Sequence, residues 1–178
     1  MSVAAQDEAR AVRNGEELDV AAVDAWLKRE LPALQGIPKV TQYAGGASNW
    51  TYRREYANDD LILRRPPAGT KAKSAHDMGR EYRIQRALKP VFPLVPEMRA
   101  HCEDVAVIGA EFYIMQRLDG IIPRRNMPRG VELPPERVRQ LCLNVLDTLI
   151  ALHRVDHHAA GLDGIGKGAG YAQRQIEG

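Results

Sequence analysis

The sequence predicts an α+β fold, and three observations carry that expectation. Three short strand-like runs joined by tight connections lie between Ile37 and Arg65, a helical pattern separates the third run from two further strands, and a long one-faced helix starts at Pro135. Together they give a five-stranded antiparallel sheet with one helix in its midst, followed by helices.

The elements follow in order. Asp19 is placed to cap a helix running to about Leu31, with Val20, Val23, Leu27 and Leu31 on one stripe, Trp26 beside it and Pro32 as the stop. From Ile37 the pattern IPKVTQY, Gly-Gly, WTYRREYA, a turn at Asn58-Asp59-Asp60, and LILRR reads as a meander. Pro66-Pro67-Ala68-Gly69 breaks the third strand, and a helix then carries Met78, Tyr82 and Leu88 up to Pro90. VFPLVPEMRAHCED and GAEFYIMQRLDG supply two more strands. The helix from Pro135 to about Val155 aligns Val138, Leu141, Cys142, Val145, Leu149 and Leu152 on one face, a stripe read as core. GLDGIGKGAG holds five glycines in ten residues and reads as a loop before a last short segment, YAQRQIEG.

Composition bounds the function classes. The 178 residues are 44% apolar and 27% charged, the balance of a globular chain, and a formal charge of +2 is too small to imply nucleic acid or an anionic membrane. Cys102 and Cys142 stand alone with no CxxC, which suggests neither zinc nor a disulfide framework. Residues 1–17 carry acids and no secretory apolar region, so they read as a flexible tail of a cytoplasmic protein, and no run is long enough for a membrane span.

The chemistry starts at YAGGASNWTYRREY, Tyr43 to Tyr56. Gly45 and Gly46 let the backbone bend so that several N–H groups aim at one point, which suits an anion, and Ser48 and Asn49 add side-chain hydrogen-bonding groups. Gly-Gly between strands is also an ordinary hairpin signal. Taken singly, Arg64, at the end of the third strand, reads as a solvated strand-end charge and Glu81 as a surface helix residue. A third reading, nucleic-acid binding through Arg64, Arg65, Lys71, Lys73, Arg124 and Arg125, is weak because these charges fall on unrelated segments without interleaved aromatics.

The joint order of GGASNWTY, LILRRPP, the helix with REY, FYIMQRLDG, and ALHRVD followed by GL resembles the N-terminal part of the aminoglycoside phosphotransferase family, in the branch found beside or fused to acyl-CoA dehydrogenases. The resemblance covers roughly residues 37–178. It implies a protein-kinase-like N-lobe over 37–120, preceded by a helix over 18–36 and followed by the start of a truncated helical C-lobe over 121–178. It implies transfer of the γ-phosphoryl group of ATP, with Mg²⁺, to a hydroxyl of a small molecule. Gly45, Gly46, Ser48 and Asn49 would cover the nucleotide, Arg64 oriented by Glu81 would meet its phosphates, and Gln116 to Leu118 would meet adenine through the main chain.

Two departures matter. The strand cation is arginine where kinases use lysine, which keeps the charge and changes the geometry. The catalytic HGDxxxxN loop and a later metal-binding Asp occur nowhere in the sequence; the chain is therefore expected to be inactive alone, with no catalytic or metal-ligating residue of its own. His153-Arg154-Val155-Asp156 imitates a kinase HRD but closes a helix, and His153 is expected to satisfy helix-end carbonyls. The alternative is a non-catalytic nucleotide- or partner-binding module.

Overall fold

The computed structural model describes residues 9–44, 49–69, 76–121, 130–166 and 169–177. A helix, α1 (Val20–Glu30), precedes the strands β1 (Lys39–Gln42), β2 (Trp50–Glu55) and β3 (Asp60–Arg65). Helix α2 (Met78–Leu88), strands β4 (Met98–Cys102) and β5 (Phe112–Gln116), and helices α3 (Pro135–His153) and α4 (Tyr171–Glu177) follow. All five strands join one antiparallel sheet in the order β1-β2-β3-β5-β4. The expected meander plus helix plus two strands is thus present, with β5 inserted between β3 and β4.

Strand alternation gives the sheet two different faces. On one, Tyr52, Leu61, Leu63, Ala100, Cys102, Phe112 and Ile114 form the core with Val23, Trp26 and Leu27 of α1. Trp26 meets Phe112 edge-on at 5.0 Å between ring centroids, a favoured aromatic geometry. Asp19 caps α1 as its sequence position suggests, accepting from the Ala22 N–H at 2.8 Å. The other face carries Arg64, His101 and Tyr113, and α2 lies over it.

Two expectations are corrected. Residues 9–17, read as part of a flexible tail, pack along the sheet edge: Arg10 and Gln42 exchange both main-chain bonds at 2.8 Å, and the Tyr52 hydroxyl donates to Glu16 O at 2.6 Å. Gln42, only 2% exposed, receives the Arg13 N–H and donates to the Glu16 carboxylate, so this polar segment is held by hydrogen bonds that no hydrophobic pattern announces. The apolar stripe of α3, read as core, is exposed. No residue of that helix is buried, and Val138, Leu141, Val145, Leu149 and Leu152 all face outward, because no described element covers them.

Candidate functional site

The site is built where β3 and β5 run side by side beneath α2. The register pairs Arg64 with Tyr113, so both side chains rise on the α2 face. Asp77 caps α2 by accepting from Arg80 N at 2.7 Å, which fixes the first turn and with it Glu81. Gly79 lets that turn lie close to the sheet: a Cβ there would stand 2.8 Å from Glu111 Oε1 and 3.4 Å from His101 Cε1. Tyr82 stacks on His101 at 4.9 Å, and His101 Nε2 in turn bonds Glu111 Oε1 at 2.7 Å.

Glu81 is the hub. Its Oε2 accepts from the Tyr113 hydroxyl at 2.9 Å and lies 3.8 Å from Arg64 Nη1, while its Oε1 accepts from Asn49 Nδ2 at 3.0 Å. Burial pushes the Tyr113 hydroxyl up to about 12, against the opposing charge of Arg64, so Tyr113 is a neutral donor to the carboxylate. Asn49, 4% exposed, is held from its other side by His76 Nδ1 at 2.8 Å from its Oδ1, and His76 itself takes a positive φ of 68° immediately before the helix cap. Asn49 is thereby fastened to the start of α2.

Arg64 has bonding capacity to spare. The 3.8 Å contact is longer than a hydrogen bond, and its buried Nε has no partner among the described residues. Arg65 points the other way and is 9% exposed, with its guanidinium 5.2 Å over the Trp50 ring and donating to Pro66 O and Ile108 O. Burial lowers its pKa. The two arginines therefore form no shared basic patch.

Of the residues expected at the site, the structure joins Asn49, Arg64 and Glu81. Gly45, Gly46 and Ser48 lie outside the described residues, as do Lys71, Lys73, Arg124 and Arg125. The Gln116 N–H bonds Glu97 O at 2.8 Å, and the next N–H, of Arg117, bonds Asp60 O at 3.2 Å, so ladder bonds continue past the strand end. Leu118, 55% exposed, is the first residue of the linker beyond those bonds. Sequence reasoning missed Tyr113 and His76; the Arg64–Tyr113 register would have given the first, and no local signal gives the second.

The HRD-like stretch is confirmed as a helix end, with one change. The last carbonyls of α3 are met by main-chain donors, Arg154 N to Ile150 O at 3.0 Å and Val155 N to Leu152 O at 3.2 Å, while the His153 side chain makes no hydrogen bond among the described residues. Asp156 caps the following turn by accepting from His158 N and Ala159 N. A cavity of about 800 Å³ lies across α2 from the site, lined by Arg80, Arg83 and Arg86 and by Gly161, Asp163 and Gly164; neither Arg64 nor Glu81 borders it. Among the described residues no helix is long and apolar enough to cross a membrane.

An antiparallel five-stranded sheet with a strand-end arginine facing a helix glutamate defines the N-lobe of a kinase-like fold. The model of the phosphotransferase enzyme family, APH, matches residues 39–178, and the chain belongs to that family. A solved Ralstonia eutropha protein, assigned as a candidate aminoglycoside phosphotransferase, superposes with a TM-score of 0.73 at 30% identity over 90% of this chain and 46% of its own. Acyl-CoA dehydrogenase family member 11 of Gallus gallus is 37% identical over 93% of this chain, and that of Rattus norvegicus 35% identical over 90%. Acyl-CoA dehydrogenase family member 10 of Mus musculus is 35% identical over 94%. The chain spans 21% of the length of the member 11 proteins and 16% of member 10.

Proposed function

We propose that this chain supplies the nucleotide-binding part of a phosphotransferase that moves the γ-phosphoryl group of ATP to a hydroxyl of a small molecule. The observation that carries the reading is the single carboxylate, Glu81, to which the loop residue Asn49, the strand cation Arg64 and Tyr113 all connect. Such a connection couples the position of Asn49 to that of the strand cation. The orphaned Nε and the long ion pair mean that Arg64 can donate to a phosphate oxygen as a further partner, so the residues present fit a nucleotide phosphate.

In this reading Arg64 binds the phosphates, Glu81 and Tyr113 hold its guanidinium in place, and Gly45, Gly46, Ser48 and Asn49 close over them. Leu118 offers its main chain to adenine. Neither of the two clusters of three metal-ligating side chains among the described residues includes Glu81. By the family resemblance, the Mg²⁺ ligands and the base for the acceptor hydroxyl are assigned to an HGDxxxxN-type loop, a motif the 178 residues do not contain. The acyl-CoA dehydrogenase names of the relatives favour a hydroxylated acyl compound as acceptor.

Titration calorimetry of the chain with ATP tests the reading. Arg64→Ala is expected to weaken binding by about 1.5 kcal/mol, the low end for a charge-assisted contact because Arg64 is partly exposed. Glu81→Gln is expected to cost less, and the double variant less than the sum, since both act through one contact. Equal affinities for wild type and Arg64→Ala would overturn it.

The exposed face of α3 favours a second reading, a module whose role is to bind a partner without turnover. Loss of ATP binding altogether, with partner binding kept, would select it.

A further inference from the structure

We propose that the turn closing α3 is a binding site for a divalent transition metal, with His157, His158 and Asp163 as its ligands. One donor atom from each of these three side chains lies within 4.8 Å of the other two. Around a zinc ion with bonds of about 2.0–2.2 Å, donors stand roughly 3–3.5 Å apart, so side-chain rotation alone closes the difference.

The backbone already holds the ligands together. Ala160 N donates to Asp156 O at 2.9 Å, Gly161 N to His158 O at 3.0 Å and Leu162 N to His157 O at 2.8 Å, so the segment folds back on itself. Gly161 makes the return with φ of 70°, in the left-handed region that suits glycine. From inside the turn, the Asp156 carboxylate accepts from His158 N and Ala159 N; the Ala159 bond above all holds its pKa below the usual aspartate range. Asp156 is thus committed to the backbone, and Asp163 is the carboxylate that reaches a histidine, pairing with His158 Nδ1.

His157 and His158 stand with centroids 4.0 Å apart, both exposed, and the His157 ring makes no hydrogen bond among the described residues. Two imidazoles this close to one carboxylate repel when both are protonated and cooperate when both are neutral donors to one ion. Two nitrogens and one oxygen suit zinc, nickel or copper better than magnesium, which takes oxygen ligands, so this site is distinct from any ion carried by a nucleotide. Exposure leaves the remaining coordination positions to water. The second cluster, His101, Glu103 and Glu111, is occupied differently: its histidine is bonded to Glu111 and covered by Tyr82, in the contacts that seat α2.

The experiment is a Zn²⁺ titration of the untagged chain by calorimetry, repeated with Co²⁺ for its visible absorption. The expected result is saturable binding of one ion, weakened at least about tenfold by His157→Ala or by His158→Ala and less by Asp163→Asn, with His101→Ala as an unaffected control. Affinity should fall on acidification, because a protonated imidazole nitrogen cannot bind the ion. All three ligands are exposed, so the variants are expected to melt as the parent does. Absence of saturable binding, or binding kept in the His157→Ala/His158→Ala double variant, would overturn the proposal.

Discussion

Arg64 and Arg65 are neighbours in sequence and should fail in opposite ways. Arg65 is 9% exposed and its stem fills space beside Trp50, while its two carbonyl bonds, at 3.3 and 3.5 Å, are long. Truncation to alanine removes the stem, the contact over the indole and those bonds, for a loss of about 2–3 kcal/mol and a fall in Tm of roughly 5–10 °C. Methionine keeps most of the apolar stem and relieves the desolvation that lowers the Arg65 pKa, so Arg65→Met is expected within about 1 kcal/mol of wild type. Arg64→Ala breaks a 3.8 Å pair whose partners are both about one-third exposed, and should cost no more than about 1 kcal/mol of stability. Urea unfolding followed by tryptophan fluorescence reads all three, since Trp50 reports directly on the Arg65 contact. ATP calorimetry on the same proteins gives the complementary result, with affinity reduced in Arg64→Ala alone. Weaker nucleotide binding in Arg65→Met, with Arg64→Ala silent, would show that the functional face of β3 is assigned to the wrong side.

Two further outcomes follow from the described contacts. Burial pushes the Asp24 carboxyl up, but the bonds from Lys28 and Tyr56 and the charges of Lys28 and buried Arg54 outweigh it and hold the pKa below 3.8. A depressed carboxylate stabilises the fold above its unfolded pKa and loses that contribution as pH falls through the folded value. Asp24→Asn should thus cost about 1–2 kcal/mol at pH 7 and flatten the stability profile below pH 4, as checked by urea unfolding across that range; an unchanged profile refutes the assignment. The exposed face of α3, with Val145 at 60% and Leu146 at 54%, should make the isolated chain associate with rising concentration in sedimentation velocity, and Leu146→Lys should reduce this. A monodisperse wild-type monomer would count against it.

The fold was largely legible because each element carried its own punctuation. Asp19 at the cap of α1, Pro66-Pro67 after β3 and Pro135 at the start of α3 are local devices, and all act where the sequence places them. The Arg64–Glu81 pair was legible by resemblance and then needed only strand alternation to separate Arg64 from Arg65. What the sequence hid was set by partners remote in the chain. Residues 9–17 look like a polar tail until Gln42 and Tyr52 meet them, and Gln116 looks like the start of a linker until Glu97 takes its N–H. The α3 stripe shows the converse: its period reveals a face to be buried and says nothing about which chain covers it.

The two helices on the sheet are held by different physics, and this assigns them different work. α1 buries Val23, Trp26 and Leu27 in the main core, so its docking is apolar and tied to global stability. α2 buries only Met78 and Gly79, and reaches the sheet through Tyr82 on His101, Gln85 and Glu81 to Tyr113, and Glu81 to Arg64. Polar contacts at half-exposed positions have steep geometric requirements and small net energies. A change at the α2 contacts therefore costs little folding free energy and displaces Glu81, whereas a change under α1 unfolds the lobe without selecting the site. Since Asn49 is fastened to the same glutamate, a shift of α2 disturbs both the Asn49 bond and the Arg64 contact. The Glu81 contacts are thus carried by the one of these two helices that the core constrains less.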